Sequence, residues 1–539
     1  MDRRTFLLAG ALGGMAPALH ISTLGEVPLR TDPIKSLRFE WEEATLEQLA
    51  EALQAGTLTS VQLTRAYLER ITQLDQSGPS LRSMLCTNPD ALRIAETLDQ
   101  ERRAGKIRGP LHGIPITLKD NIDTGDQMPT TAGSLALAQS RAPRDAFLVT
   151  RLREAGVVLL GKTNLSEWAN IRSSASSSGW SAVGGQCRNP YVLDRNPCGS
   201  SSGAGVSVSA NLCAAGVGTE TDGSIICPSH HNGIVGLKPT VGLISRSGIV
   251  PISRSQDTAG PMGRRVIDVA LLLQGMVGVD PADASTLRAP KTAPDYALAV
   301  RQGRSPQALK GLRLGIRHQN PGIAPRVLKV FEQALSVLRD QGAEMIDIAE
   351  MPPETGLHEA ELEVLLTELK AGLAEYLATR PNLPYKSLAD LIQFNQSHLR
   401  EEMQHFGQEL FEQAAQKGGL DSPAYQAALA TCTRLTRTEG LDKLFATHRI
   451  EVLLQPSGGP AWVTDLVNGD RYTGGDSSWA AIAGYPHLTV PIGFVEHLPV
   501  GLSFIGKAWE ETRLLFVGAA FEQASQARRA PQFLPTRAG

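Results

Sequence analysis

A run of small residues at positions 197–205 leads directly into an apolar segment, and this feature constrains the fold most strongly. Val206, Val208, Leu212 and Val217 follow the run and are typical of a buried core. A Gly/Ser run between domains would be a flexible linker. A phosphate-binding loop would end in Gly-Lys-Ser or Gly-Lys-Thr, and this run does not. A tight turn of this composition inside a core is more often a functional site, and we adopt that interpretation.

Strand and helix patterns alternate along most of the chain. Residues 114–118 form an apolar run that ends at Lys119, a helical pattern covers 147–155, and another apolar run covers 157–160. This alternation predicts an α/β fold with one large sheet. Residues 358–445 are helical and polar in pattern and are predicted to cover one edge of the sheet. Later segments repeat the alternation, with strands at 312–316, 345–348, 452–454, 488–490 and 501–505 and a helix at 325–339.

The composition is that of an ordinary soluble globular protein. The chain has 539 residues, of which 42% are hydrophobic and 20% are charged, and its formal net charge is −3. A nucleic-acid surface would show a basic excess or a stripe of Lys and Arg, so we expect no nucleic-acid partner. The apolar segments are shorter than the ~20 residues that span a bilayer, so we expect the mature protein not to associate with a membrane.

The N-terminus has the features of an export signal. Arg3 and Arg4 precede a short apolar stretch that ends in the small residues Ala16-Pro17-Ala18. A basic start, an apolar run and a small-residue cleavage site are typical of secretory signals, and paired arginines indicate the twin-Arg route. We therefore predict a periplasmic or secreted protein with a signal peptide at 1–18, a linker at 19–40, one domain at 41–530 and a tail at 531–539.

A second small-residue turn, at positions 218–224, ends at Ser224 just beyond an apolar segment. Successive N–H groups in such a turn can converge on an anion and stabilise the oxyanion of a tetrahedral intermediate. A serine nucleophile needs a base, and we interpret the adjacent His230 and His231 as structural. Lys119 ends a buried strand, where desolvation would lower its pKa from ~10.4 toward neutrality. A solvent-exposed Lys119 is the alternative that the residues leave open.

The cysteines and histidines predict neither a metal site nor a defined disulfide framework. Six cysteines can pair in fifteen ways, and none of them has Cys-x-x-Cys spacing, so no pairing is assigned. No Cys/His cluster has the spacing of zinc ligands, and no motif implies a cofactor. We expect an enzyme that uses neither a metal ion nor an organic cofactor.

Several short motifs lie in a specific order between positions 113 and 502. Ser200 and Ser224 lie 24 residues apart within them. The motifs are Gly-Ile-Pro-Ile-Thr-Leu-Lys-Asp-Asn (113–121), Gly-Ser-Ser-Ser-Gly (199–203), Thr-Glu-Thr-Asp-Gly-Ser (219–224), Gly-Leu-Lys-Pro-Thr (236–240), Gly-Tyr-Pro-His-Leu-Thr-Val-Pro (484–491) and Leu-Pro-Val-Gly-Leu (498–502). In this order and spacing the motifs resemble the amidase signature hydrolases over nearly the whole chain.

The resemblance implies a fold, a reaction and a set of site residues. The implied fold is the amidase signature fold, a large twisted mixed β-sheet with helices on both faces. The implied reaction is hydrolysis of a carboxamide C–N bond with release of ammonia through an acyl-enzyme. Lys119 would be the base, Ser200 a bridging serine in a cis peptide, and Ser224 the acylated nucleophile. The implied oxyanion donors are the N–H groups of Thr221, Asp222, Gly223 and Ser224.

Departures from the family pattern bear on the substrate. The family usually has Asp at the position of Glu220 and Gly at that of Asp222, and often has Arg at Ile226 or Cys227. Without that Arg, a carboxylate on the substrate has no obvious partner. The variant turn, with the segments 256–262 and 459–462, most resembles bacterial peptide amidases, which hydrolyse C-terminal amides of peptides. Asp222 would either cap its own turn or contact substrate, and the residues predicted to hold the acyl chain are Trp168, Asn170 and Trp180.

Other functions remain open at this point. The same signature occurs in the ammonia-producing component of tRNA-dependent amidotransferases and in hydrolases of fatty and aryl amides. An amidotransferase component would need a cytoplasmic partner, and the predicted export signal argues against an obligatory partner subunit. A non-catalytic binding protein is disfavoured because Lys119, Ser200 and Ser224 are all present. The predicted ligand is a small-molecule or peptide amide.

Overall fold

The β-strands form at the short apolar runs of the sequence, and most of their residues are buried. The structure is a computed structural model that describes residues 39–318, 322–475 and 477–537. Its strands are β1 (Met84–Thr87), β2 (Pro115–Lys119), β3 (Val158–Thr163), β4 (Trp180–Ser181), β5 (Gly185–Gln186), β6 (Ala215–Glu220), β7 (Val235–Lys238), β8 (Thr258–Gly263), β9 (Arg313–Ile316), β10 (Glu344–Asp347), β11 (Val452–Pro456), β12 (His487–Val495) and β13 (Leu498–Ile505).

Among the described residues, eleven strands form one sheet in the order β1-β3-β2-β6-β8-β7-β12-β13-β11-β9-β10. Strand β2 is parallel to β3 and β6, and β9 is parallel to β10 and β11, whereas the other pairs are antiparallel. All five residues of β2 are buried, although successive side chains point to opposite faces. The sheet is therefore covered on both faces, and the predicted α/β fold with a large mixed sheet is confirmed.

The helices form where apolar residues recur at helical spacing. The first helix begins with a capping box, in which Gln48 N donates to Thr45 Oγ1 and Thr45 N donates to Gln48 Oε1. The α-helices are α1 (Leu46–Ala55), α2 (Ser60–Arg70), α3 (Ala91–Arg103), α4 (Phe147–Glu154), α5 (Ser202–Ser209), α6 (Ile226–His231), α7 (Val266–Met276), α8 (Tyr296–Gly303), α9 (Pro325–Asp340), α10 (Leu357–Ala378), α11 (Leu388–Ser397), α12 (Leu399–Glu402), α13 (Glu409–Ala415), α14 (Pro423–Thr433), α15 (Asp442–His448), α16 (Ser478–Ala483) and α17 (Glu511–Ser525).

The parallel strands β3, β2 and β6 place their carboxyl ends at one end of the sheet. Lys119 pairs with Thr163 in register, and Leu118 pairs with Val217 two residues before Thr219. The loops that follow these strands therefore meet, and ligands of α/β proteins bind at such positions. Strand β8 runs antiparallel to β6, so that Thr258 at its start lies opposite Glu220.

Helices α10 to α14, which we call the helical cover, pack over the loops at this end of the sheet. Leu369 of α10 and Phe411 of α13 share an apolar cluster with Trp168 and Ile252, which belong to two of those loops. Helices α10 to α15 occupy most of residues 358–445. The cover separates part of the loop region from solvent.

The predicted signal peptide, and the linker up to residue 38, lie outside the described residues. From Phe39 onward the chain forms one compact unit. The domain boundaries and the export signal remain predictions. No helix in the described part of the chain combines the length and apolar character that a membrane span requires.

Candidate active site

Lys119 is the last residue of β2, and its side chain is fully buried. Its Nζ lies 2.7 Å from Ser200 Oγ, 2.9 Å from Thr219 Oγ1 and 3.2 Å from the carbonyl oxygen of Thr219. Burial lowers the pKa of Lys119 to about 7, although the charges of Asp257 and Glu220 oppose this shift. Near neutral pH a large fraction of this amine is therefore uncharged and able to accept a proton from Ser200.

Ser200 lies in the small-residue turn that precedes α5. The peptide bond between Gly199 and Ser200 is cis, as the family resemblance implies. A Cβ at position 199 would lie 2.1 Å from Ser166 Oγ, so any larger residue there would have to displace that side chain. Ser201 N donates to the carbonyl oxygen of Ser224 at 3.1 Å, and Ser201 Oγ donates to that of Thr219 at 2.9 Å. The turn is thereby attached to both β6 and the residue predicted to be the nucleophile.

Ser224 ends the turn that connects β6 to α6. Gly223 adopts φ of 77°, a left-handed conformation that glycine favours. No described residue accepts a hydrogen bond from the N–H groups of Gly223 and Ser224. The Glu220 carboxylate instead accepts from Ile225 N at 2.7 Å and Ile226 N at 3.0 Å, at the start of α6. N–H groups without a described acceptor beside a serine hydroxyl are what an anion-binding nest requires, and the oxyanion role of this turn stays a prediction.

Asp222 does not simply cap its own turn. Its two carboxylate oxygens accept hydrogen bonds from Ser477 Oγ and Ser478 Oγ, the latter at 2.6 Å. Ser478 begins α16, so Asp222 attaches the predicted oxyanion turn to a segment more than 250 positions later in the chain. Direct contact between Asp222 and substrate stays a prediction.

Asn121 and Asp257 line the same cleft, although no sequence pattern singled out either residue. Asn121 Nδ2 donates to Thr219 Oγ1 at 2.9 Å, and Thr219 in turn contacts Lys119. Asp257 accepts a 2.6 Å hydrogen bond from Thr221 Oγ1. Both Asn121 and Asp257 lie within motifs noted above, but strand pairing alone brings them to the site.

The two tryptophans predicted to hold the acyl chain are buried under the helical cover. The Trp168 ring packs against Phe411 with centroids 5.6 Å apart, and the Trp180 ring packs against Phe406 at 5.2 Å. Asn170 is half-buried, with Nδ2 3.5 Å from Ser178 Oγ. The Trp168 and Trp180 rings thus pack against side chains of the helical cover and of the loop that joins its helices α12 and α13. Contact of Trp168, Asn170 and Trp180 with substrate stays a prediction.

His230 and His231 are buried structural residues. Burial lowers the pKa of His230 to about 4, and its Nε2 lies 2.7 Å from the carbonyl oxygen of Gly459. His231 Nδ1 lies 3.0 Å from the carbonyl oxygen of Cys227, and burial also holds the pKa of His231 well below its usual range. Neither ring contacts Ser224 in the described structure.

One disulfide flanks the two turns that hold Ser200 and Ser224. Cys198 and Cys227 are bonded, and they lie two residues before Ser200 and three residues after Ser224. Within the described residues, these two sulfurs and His231 form the one group of three side chains close enough together to bind a metal ion. Because both sulfurs are used in the disulfide, the donor set does not fit a metal ion.

The chain matches a family model and several solved structures. The Amidase family model matches residues 62–515. The chain belongs to the amidase family. This amidase is 50% identical to the peptide amidase from Stenotrophomonas maltophilia, whose structure aligns with a TM-score of 0.88 over 92% of this chain and 100% of that chain. An amidase family protein from Bacillus anthracis is 34% identical, with a TM-score of 0.82, over 93% of this chain and 96% of that one.

This amidase is also similar to one component of a larger enzyme. It is 35% identical over 497 residues to the corresponding component of the glutamyl-tRNA(Gln) amidotransferase of Halorhodospira halophila, and the match covers 90% of this chain and 97% of that protein. The family match and the peptide amidase likeness support hydrolysis of an amide carbon–nitrogen bond. The expectation that the chain is an amidase of the signature family is therefore confirmed.

Proposed function

We propose that this amidase releases ammonia from C-terminal carboxamides of peptides through an acyl-enzyme on Ser224. The observation that carries the mechanism is the 2.7 Å contact between Lys119 Nζ and Ser200 Oγ in a buried site. The hydrogen bond from Ser201 N to the Ser224 carbonyl connects this pair to the nucleophile turn. A lysine that is half neutral near pH 7 is matched to general-base work.

The proton moves through Ser200 in both halves of the reaction. Neutral Lys119 takes the Ser200 proton while Ser200 takes that of Ser224, and Ser224 Oγ bonds to the amide carbon. The backbone N–H groups of Thr221, Asp222, Gly223 and Ser224 stabilise the oxyanion. When the C–N bond breaks, the relay returns the proton to nitrogen and ammonia leaves. Water then attacks the acyl-enzyme by the same path and releases the carboxylic acid.

Substitution of the nucleophile tests the mechanism. We expect Ser224→Ala to lose turnover by several orders of magnitude and to keep the circular dichroism spectrum of the wild type. A fluorophosphonate probe should label the wild-type protein at Ser224 and leave the variant unlabelled. Ordinary activity in purified Ser224→Ala protein, or labelling at another serine, would overturn the assignment.

The preference for neutral amides is supported by the charges around the turn. The positions where the family often has Arg are Ile226 and Cys227, and Cys227 is used in the disulfide. Asp222 adds a carboxylate within the turn itself. A second carboxylate ~4 Å away would be repelled by ~1 kcal/mol even in water, and by more in a dry cleft. A peptide amide places its charged groups away from the scissile bond.

Competing substrates give a direct comparison. We expect kcat/KM for a dipeptide amide to exceed that for malonamate, an amide with a carboxylate near the scissile bond. A fatty amide and an aryl amide in the same ammonia assay cover the alternative amide classes. A higher kcat/KM for malonamate would overturn the substrate proposal and leave the roles of Lys119, Ser200 and Ser224 intact.

The similarity to an amidotransferase component supports a second candidate function. In that case ammonia would pass to a partner protein, and glutamine would be the natural amide. Ammonia release from a peptide amide by the purified chain, unchanged on addition of cell extract, supports the hydrolase. Activity that requires another protein supports the amidotransferase role.

We also propose that residues 1–18 direct export. The support is the twin-Arg pattern in the sequence. Residues 1–30 fused to a reporter should carry it to the periplasm, and Arg3→Lys with Arg4→Lys should retain it in the cytoplasm. Cytoplasmic retention of the unaltered fusion would contradict this proposal.

A further inference from the structure

Asp257 lies beside the proposed oxyanion turn although it belongs to a different part of the chain. It immediately precedes β8, whose first residue Thr258 pairs with Glu220 at the end of β6. Antiparallel pairing therefore places Asp257 opposite Thr221, the first residue of the turn. Asp257 also lines the small cavity that is bounded by Ser200 and Thr219.

Both carboxylate oxygens of Asp257 are used in hydrogen bonds. Oδ1 accepts from Thr221 Oγ1 at 2.6 Å, and Oδ2 accepts from the backbone N–H groups of Ile252 and Ser253, each at 2.8 Å. A charged acceptor strengthens each of these bonds. Asp257 thereby joins the start of the turn to residues 252–253, where Ile252 packs against the helical cover.

We propose that Asp257 is a positioning residue of the active site, which holds Thr221, and with it the oxyanion turn, in place for attack by Ser224. The inference rests on the proposed function of Ser224. Asp257 contacts neither the nucleophile nor the proton relay among the described hydrogen bonds. It acts on the reaction through Thr221.

The charge of Asp257 has a second consequence, at Lys119. An ionised Asp257 favours the protonated form of Lys119 and so opposes the effect of burial on the pKa of that lysine. Burial raises the pKa of Asp257 itself to about 6, although the hydrogen bonds from Thr221, Ile252 and Ser253 and the charge of Arg246 oppose this shift. Glu220 is the other carboxylate that acts on Lys119.

The segment around Asp257 also contacts two carboxylates of the helical cover. Glu361 accepts a 2.9 Å hydrogen bond from Gln256 Nε2, and Glu368 accepts hydrogen bonds from Ser255 N and from the hydroxyl of Ser253. Both carboxylates lie on α10 and face this segment. Among the described hydrogen bonds, Glu368 has none with Thr221. Glu368 is therefore a matched control for the loss of one buried negative charge.

The test compares Asp257→Asn with Glu368→Gln and Thr221→Val. Asp257→Asn should lower kcat about 10- to 100-fold, the effect of one hydrogen bond to a charged group, with little change in KM. The acid limb of the kcat/KM profile of Asp257→Asn should also move to lower pH. Without the negative charge of Asp257, Lys119 loses its proton at a lower pH. Thr221→Val should lower kcat to a similar extent without that shift, and Glu368→Gln should change kcat less than threefold.

A double variant separates positioning from general destabilisation. If one hydrogen bond carries the effect, Asp257→Asn with Thr221→Val should lose no more kcat than the more damaging single change. If Asp257→Asn fails to fold, the kcat and pH profile of Thr221→Val decide the matter. Wild-type kcat in Asp257→Asn or in Thr221→Val, or an equal loss in Glu368→Gln, would overturn the proposal.

The assay must also distinguish this inference from the proposed substrate. Each variant is measured on a dipeptide amide and on benzamide. Failure of the substrate proposal appears as a wild-type enzyme that hydrolyses only benzamide. Failure of the Asp257 inference appears as a variant that matches the wild type on whichever amide the wild type hydrolyses.

Discussion

Replacement of Lys119 by methionine should make the protein more stable near neutral pH while it abolishes activity. The pKa of this lysine is about 7 in the folded protein and 10.5 ordinarily, because the folded protein removes the amine from water. Between these values the unfolded chain binds more protons than the folded one, so stability rises with pH. The destabilising contribution is fully present below pH 7 and is lost as the pH rises toward 10.5.

The magnitude follows from these two values. The contribution of Lys119 to the free energy of unfolding is about −4 kcal/mol at pH 7 and about −2 kcal/mol at pH 9. Methionine has an unbranched chain that fills the same space without a charge. The variant loses the contacts of Nζ with Ser200 and Thr219, at about 1 kcal/mol each. A net gain of about 2 kcal/mol is therefore expected at pH 7, and almost none at pH 9.

The assay is urea unfolding of both proteins at pH 7, 8 and 9, followed by tryptophan fluorescence. Lys162→Met is the matched control, since Lys162 is equally buried but lies 3.8 Å from the Asp120 carboxylate. Loss of Lys162 leaves that carboxylate without its ion pair, so this variant should be less stable by several kcal/mol. A stability difference between wild type and Lys119→Met that is constant across this pH range would refute the reasoning.

Three further outcomes are expected. The acid limb of kcat/KM should have its midpoint near pH 7, so activity at pH 6 should be about one tenth of the maximum as Lys119 becomes protonated; a flat profile from pH 5 to 8 would exclude Lys119 as the base. Cys198→Ser with Cys227→Ser should lower the unfolding free energy by about 3–4 kcal/mol, because the disulfide spans 29 positions, and urea midpoints with and without reductant measure this. His230→Ala should retain measurable turnover when purified, whereas a loss equal to that of Ser224→Ala would favour a Ser-His mechanism.

The sequence predicted most elements of the sheet because local patterns determine them. The apolar run before Lys119 became β2, and the run at 157–160 includes the start of β3. Spacing between motifs, together with the family resemblance, identified Lys119 and Ser200, and the structure brings these two side chains together. The strand that Lys119 ends predicts a buried side chain, and the structure confirms this burial.

Contacts between distant segments were decided only by the tertiary structure. Six cysteines allow fifteen pairings, and the folded chain joins Cys198 with Cys227 because the two turns that hold them meet. The contact of Asp222 with Ser478 joins segments that no local pattern connects. The same holds for Asp257, which strand pairing places beside Thr221. Periodicity and propensity act over a few residues along the chain, whereas these contacts depend on how the strands are ordered and how the loops pack at their ends.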